Sequence, residues 1–381
     1  MRNILKLVVL SLLLITSLTG CVQTKSIEDL AIINTRGVDI IEDNKIETTL
    51  VIYKFDSQNQ ELSSIVSGEG RTIKGARKNA NYKTSFKLTP GQIRLEMFGK
   101  ETAKKGLLSY IDTQIRDARV SDTMYLALSE TTAKDVIIQT QEGSSVHVGK
   151  YLYELIEQNV KDNIIPRVTL HDFLQTYYDN GHDPYLPVLS TATKSPTLSA
   201  IALFQDDKYV GQVPLSDALL INVFNKSIEN ATLEVQLPMQ PFKKYLKSER
   251  LDENDEDTAH ALMKVLRGNS KSKITNQQNM QFQTEITFNV TMLELSEEID
   301  LKKPKAKEIF EEEVKKIFKK QYEQLFKNSQ ELNSDPFGYG TIYRINKHGG
   351  KLTDKEWREK FPDINVDFKI DFTLKGHGTT P

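Results

Sequence analysis

The chain has 381 residues, 38% of them hydrophobic and 27% charged, with 50 Lys and Arg against 52 Asp and Glu. At roughly 100–200 residues per domain, two or three domains with a real core are expected. The slightly acidic balance excludes a surface that seeks nucleic acid or anionic lipid by net charge alone. A single cysteine excludes an internal disulfide framework.

The first element is a leader. Arg2 precedes an apolar run from Ile4 to Leu18 interrupted only by Lys6, Ser11, Thr16 and Ser17. A membrane-spanning helix needs roughly 20 apolar residues, and this run is shorter. A positive start, a short apolar centre and small residues before a cut describe a secretory signal peptide. The end of the run, Leu18-Thr19-Gly20-Cys21, matches the bacterial lipobox. There a peptidase cuts before a cysteine whose thiol carries a diacylglyceryl group, and small residues keep the bond reachable. We read residues 1–20 as a lipoprotein signal peptide and Cys21 as the lipidation site. Each buried CH₂ contributes ~0.8 kcal/mol, and two acyl chains anchor stably where one does not. A diacylated Cys21 would hold the protein on a membrane without crossing it.

After the spacer "VQTKS", "IEDLAII" is helical or extended, and "KIETTLVIYKF" predicts a strand through Leu50 and Ile52. "SGEGRTIKGARKNANY" predicts a glycine-bearing turn and a helix from Thr72. "QIRLEMFG" alternates as a strand, "KETAKKGLLSYIDTQIRDAR" reads as one helix, and "DTMYLALSE" as a further strand. In "YLYELIEQNVKDN", Leu152, Leu155, Ile156 and Val160 share one helical face. Three prolines between Pro184 and Pro196, with Ser and Thr among them, place a boundary near residue 192. Residues 21–192 are thus expected to form an N-terminal region of two small α/β units, and 193–381 a C-terminal α+β domain.

Beyond the boundary, "LSAIALFQDDKYVGQVPL" predicts a hairpin turning at "QDDK", and "ATLEVQLP" a short strand. The charged stretch 247–273, with five acids among Asp252–Asp257, reads as a solvated loop or helix start. "MQFQTEITFNVTMLEL" alternates through Phe282, Ile286, Phe288, Val290 and Met292, so one face is core. From Pro304, the residues Ile309, Phe310, Val314, Ile317, Phe318, Tyr322, Leu325 and Phe326 form one apolar helical stripe. We expect it to pack on the chain's own sheet. Glu311–Lys315, Glu312–Lys316 and Glu323–Lys327 are spaced as i,i+4 pairs worth ~0.2–0.5 kcal/mol each. "DINVDFKIDFTLKG" alternates without a break as a long terminal strand. Interspersed helices and alternating strands favour mixed or antiparallel sheets flanked by helices, hence a multidomain α+β chain.

Motifs for chemistry fail on inspection. "GRTIKGA" has the G-x₄-G spacing of a phosphate loop, but Ala76 and Arg77 stand where Lys and Ser or Thr are required. There is no G-x-S-x-G nucleophile elbow and no H-E-x-x-H pair. His171, Asp172, Asp179, His182 and Asp183 lie close in sequence, but without the spacing of a metal site or the glutamate of a calcium loop. A helix followed by an Asn180-Gly181 turn accounts for them. We therefore assign no catalytic, metal or cofactor residues, and expect a non-enzyme. Phe337, Tyr339 and Trp357 are assigned to core packing.

Several segments, in their order and spacing, resemble the Ger(x)C family, lipoprotein C subunits of nutrient germinant receptors in spore-forming bacteria. They are "TGC" ending at Cys21, "IEDLAII", "GRTIKGA", "FGKETAKKGL" with "RDAR", "HDFLQTYYDNGHDPYLPVL", "IALFQDDKYVGQV", "SDPFGYG" and "KEWREKFPDINVDF". The family often has tryptophan and basic residues directly after the lipidated cysteine, where this chain has "VQTKS". The resemblance implies a non-enzymatic subunit, anchored through acylated Cys21 on the outer face of the spore inner membrane. Its implied partners are two integral membrane proteins, the A and B subunits of the receptor. The rival class is a solute-binding lipoprotein of a membrane importer, which would share the anchor but show two lobes of βαβ units.

Overall fold

The computed structural model describes residues 30–54, 63–91, 93–143, 147–246, 258–347 and 349–377. The leader, Cys21 and the acidic run 252–257 lie outside the described residues.

The first sheet has nine strands. β1 (Leu30–Ile40), β2 (Ile46–Lys54) and β3 (Ser63–Gly70) form an antiparallel meander. β4 (Lys87–Thr89) and β5 (Leu95–Gly99) both run parallel to β1, and β6 (Tyr125–Ser129) and β7 (Tyr185–Ser190) extend the parallel part from β5. β8 (Thr197–Gln205) and β9 (Lys208–Pro214) close the far edge antiparallel. Leaving β4 aside, the order is β3-β2-β1-β5-β6-β7-β8-β9. The expected edge near residue 192 falls in the connection between β7 and β8, which are hydrogen-bonded neighbours. β5 is buried at every position, as a parallel strand covered on both faces must be.

Helices cover both faces. α1 (Ile73–Asn81), α2 (Lys100–Lys105), α3 (Leu108–Ile115) and α6 (Leu170–Tyr177) pack on one side with Phe98, Leu126 and Val188. α4 (Ala133–Gly143) and α5 (Val148–Lys161) pack on the other with Leu95, Met97 and Ala127. α7 (Ala218–Asn225) continues that second core towards the next sheet.

The second sheet has the order β10-β11-β12-β13, from β10 (Thr232–Pro238), β11 (Thr258–Asn276), β12 (Gln281–Leu295) and β13 (Asn365–His377). Its strands are antiparallel except β12 with β13, which run parallel. A parallel neighbour needs a crossover. α8 (Pro304–Glu331), α9 (Tyr339–Asn346) and α10 (Asp354–Lys360) supply it. The stripe of α8 meets the inner face of this sheet as expected. Phe318 stacks on Phe288 at 4.8 Å between ring centres, and Tyr322 on Phe368 at 5.6 Å. Fully burying each such ring is worth roughly 1.5–3 kcal/mol. The buried Tyr322 hydroxyl donates to the Leu220 carbonyl at 3.1 Å, fastening α8 to α7.

Three local expectations are corrected and one helix is added. Residues 100–119 do not form one helix. Gly106 takes φ +109°, and Leu107 N and Leu108 N donate to Asp207 at the β8–β9 turn, at 2.9 and 2.8 Å. The hairpin tip thus captures the amides that would have continued α2. The described part of the charged stretch, from Thr258, is strand β11, because Ala259, Ala261, Met263 and Val265 alternate into the core. α4 is an additional helix, started by Thr132 and Asp135, whose side chains each accept the other's backbone N–H. On α8, Lys315–Glu312 and Lys316–Glu313 at 2.8 and 2.7 Å take the place of Glu311–Lys315 and Glu312–Lys316, and Lys319–Glu323 and Lys327–Glu331, both at 3.8 Å, that of Glu323–Lys327. Glu311 instead accepts the Leu374 N–H of β13 at 2.8 Å.

Candidate functional site

In sheets with parallel strands, ligands usually bind beyond the carboxyl ends of the strands. Here that crevice, about 220 Å³, lies beyond β1, β5 and β6, and Asp39 occupies its floor. The Asp39 carboxylate accepts Ala133 N at 2.7 Å and Lys134 N at 2.9 Å, filling the anion position at the start of α4. A Cβ at residue 99 would fall 2.2 Å from Asp39 Oδ1, so glycine there makes room for the carboxylate. Burial raises the Asp39 pKa to about 6 against the pull of these two amides. The place where a phosphate could sit is taken by the chain's own carboxylate, and Glu101 and Glu130 line its mouth.

The opposite end of the parallel strands is open. Arg94 immediately precedes β5, with its N–H on Asn34 O and its carbonyl accepting Tyr125 N, both at 2.8 Å. The exposed guanidinium lies over the Tyr153 ring at 5.2 Å from the centre. Tyr153, on α5, is held by its hydroxyl donating to Glu157, which Lys161 also engages at 2.8 Å. Burial first, and then this bond, push the Tyr153 phenol up to about 12, so it stays a donor. Two adjoining grooves share Arg94 and Tyr153. One, of about 390 Å³, is lined also by Ile32, Asn34, Tyr53, Lys150 and Glu154. The other, of about 460 Å³, is lined also by Ser121 and Thr123. Lys150 is paired with Glu154 at 3.7 Å, while Arg94 makes no ion pair among the described residues.

A third cluster joins the two sheets. Asp183, just before β7, accepts both terminal nitrogens of Arg358 on α10, the Asp206 N–H at 3.1 Å and the Asp335 N–H at 2.7 Å. Asp335 accepts the Trp357 indole N–H and Gly340 N, both at 3.0 Å. Burial raises the Asp335 pKa to about 7, with Asp183 adding to the shift and these N–H groups opposing it. Ser334 Oγ donates to Phe204 O at 2.6 Å. Apart from the buried Arg358 Nε, which has no partner among the described residues, the side chains of the cluster are engaged with one another and with the backbone, as a clamp requires.

The residues singled out in the sequence go to separate tasks. Asp172 and Thr169 cap α6, Asp179 pairs with Arg344, the half-buried His182 has Nε2 3.2 Å from Pro336 O, and Asp183 enters the clamp. Among the described residues no group of His, Cys, Asp and Glu is placed to hold a metal ion. Thr72 in "GRTIKGA" caps α1, accepting Gly75 N at 3.0 Å. Phe337, Tyr339 and Trp357 are buried, and the Tyr339 hydroxyl shares a hydrogen bond with Thr284 at 2.8 Å. Cys21 lies outside the described residues. Sequence reasoning missed Asp39, Arg94, Asp335 and Arg358 as members of sites. Only Asp39 had a legible counterpart, the Thr132-x-x-Asp135 start of the helix it caps.

Known proteins share this architecture. Residues 23–191 match the family model for a spore germination protein N-terminal domain, and residues 199–378 match that for the spore germination B3/GerAC-like C-terminal domain. The chain is 24% identical over 372 residues to spore germination protein GerQC of Bacillus cereus, covering 98% of this chain and 99% of that relative. It is 20% identical over 377 residues to the putative spore germination protein YfkR of Bacillus subtilis (strain 168), covering 94% and 93%. The crystal structure of the GerBC protein superposes with a TM-score of 0.52 at 15% identity, over 89% of this chain and 96% of that one, and shows the same fold.

Proposed function

Since the chain belongs to the Ger(x)C family, the C subunits of spore germinant receptors, we propose that it is a non-enzymatic, lipid-anchored subunit required for nutrient-triggered germination. The observation that carries this reading is the pair of family matches, which together take in residues 23–191 and 199–378. The buried carboxylates agree with it. Asp39 caps a helix, and Asp183 and Asp335 clamp two sheets, so each already has a structural task.

In this reading, acylated Cys21 holds the protein on the outer face of the spore inner membrane, beside integral membrane A and B subunits. Confinement to the bilayer raises the effective concentration of the folded part near those partners, and contacts there bias the receptor between resting and open states. No described helix is long and apolar enough to cross a membrane.

Spores lacking the gene are the direct test, challenged with a panel of nutrients and with a trigger that bypasses nutrient receptors. Loss of response to one nutrient class with the bypass intact is expected. Unchanged responses to every nutrient would refute the proposed requirement. A Cys21→Ala protein at normal abundance should leave the membrane fraction and lower the nutrient response. Saturable binding of an amino acid or sugar by the isolated folded part, without a germination defect, would favour the importer reading.

A further inference from the structure

We propose that the Arg94–Tyr153 groove takes the phosphate of an anionic phospholipid headgroup and seats the anchored end of the protein on the bilayer. This rests on the reading of Cys21 as the lipid anchor. β1, β5 and β6 all start at the end where the groove lies, and the chain from Cys21 enters at that same end, at Leu30. An extended chain covers at most ~3.3–3.6 Å per residue, so Leu30 stays within about 30 Å of a lipid on Cys21.

The chemistry at this end suits a phosphate. Glu154 is paired with Lys150, and Glu157 is engaged by Tyr153 and Lys161, which leaves the Arg94 guanidinium as a fork for phosphate oxygens. Stacking on Tyr153 holds that fork in place. Ser121 and Thr123, whose hydroxyls share a hydrogen bond at 2.7 Å, line one side, and Lys150 adds a cation on the other. The overall charge of the chain does not drive such binding, so the effect must be local to this end.

The test uses residues 22–381, which retain every described element and lack the anchor, so it is independent of lipidation. Sedimentation would compare vesicles of phosphatidylcholine alone with vesicles of phosphatidylcholine and phosphatidylglycerol. Retention only on the second is expected. Arg94→Gln should weaken it roughly fivefold, and Arg94→Gln with Lys150→Gln roughly twentyfold, at about the strength of one basic side chain each. Arg71→Gln is the control, because exposed Arg71 follows β3 at the opposite end of the sheet. An unchanged Arg71→Gln protein supports the proposal. Equal losses from Arg71→Gln and Arg94→Gln would reduce the effect to net charge and overturn it. Absence of retention on phosphatidylglycerol would also overturn it. Calorimetric binding of glycerol phosphate that depends on Arg94, without vesicle retention, would assign the groove to a free phosphate ligand instead. Palmitate labelling of the full chain, with Cys21→Ala as reference, tests the anchor separately.

Discussion

Arg358 of α10 donates N–H from both terminal nitrogens of its guanidinium to the Asp183 carboxylate, 175 positions earlier and just before β7. The pair crosses from the second sheet's crossover to the first sheet. Asp183 is only 1% exposed and also accepts two backbone N–H groups. Removing the cation leaves a buried carboxylate uncompensated, at about 3–5 kcal/mol. Arg358→Met should lower the urea midpoint by that equivalent. Adding Asp183→Asn should recover part of the loss. A double variant as unstable as the sum of the singles would show that the two residues act independently.

Asp335 makes stability depend on pH. Its folded pKa of about 7 lies above the unfolded carboxylate range, so the folded state holds this proton more tightly. The resulting stabilisation is fully present below about pH 4. It is lost as pH rises through about 7. Asp335→Asn removes this contribution. The stability of the natural protein relative to Asp335→Asn should therefore fall between acid and mildly alkaline pH. Urea unfolding across that range checks it, and a difference that is flat or rises with pH would contradict the assignment.

Gly106 carries the break between α2 and α3. Its φ of +109° with ψ of 138° is a conformation that side chains avoid, and a Cβ would lie 2.7 Å from Asp207 Oδ2. Gly106→Ala should cost about 1–3 kcal/mol from backbone strain. Hydrogen exchange should show added opening at Leu107 and Leu108, whose amides bond to Asp207. Unchanged protection and an unchanged melting temperature would mean that the turn relaxes freely.

Phe318 and Ile317 are neighbours on α8 with different burial. Phe318 is 3% exposed between Phe288 and Phe372, whereas Ile317 is only partly buried. Phe318→Ala should lose about 3–5 kcal/mol of stability, and Ile317→Ala less. Equal losses would mean that the edge of the stripe carries as much packing as its centre.

Where the physics is local, the sequence by itself determined the structure. The two-residue alternation of β12 and β13 and the three- and four-residue steps of α8 each present one apolar face, and burial follows whatever the partner is. The hairpin 197–214 and the helix start at Thr72 are legible for the same reason, since a few adjacent residues make the whole interaction. The family likeness was also legible, because it lies in the order and spacing of short segments. Tertiary structure alone decided the rest. Asp207 ends α2 from about a hundred positions away, Asp39 fills the start of α4 from a similar distance, and Arg358 finds Asp183 across the two sheets. Arg94 looked like any arginine of a strand until parallel pairing put the starts of β1, β5 and β6 at one end, beside α5. A side chain's pattern tells which way it faces along its own element. What it meets there depends on which distant elements the chain folds against it.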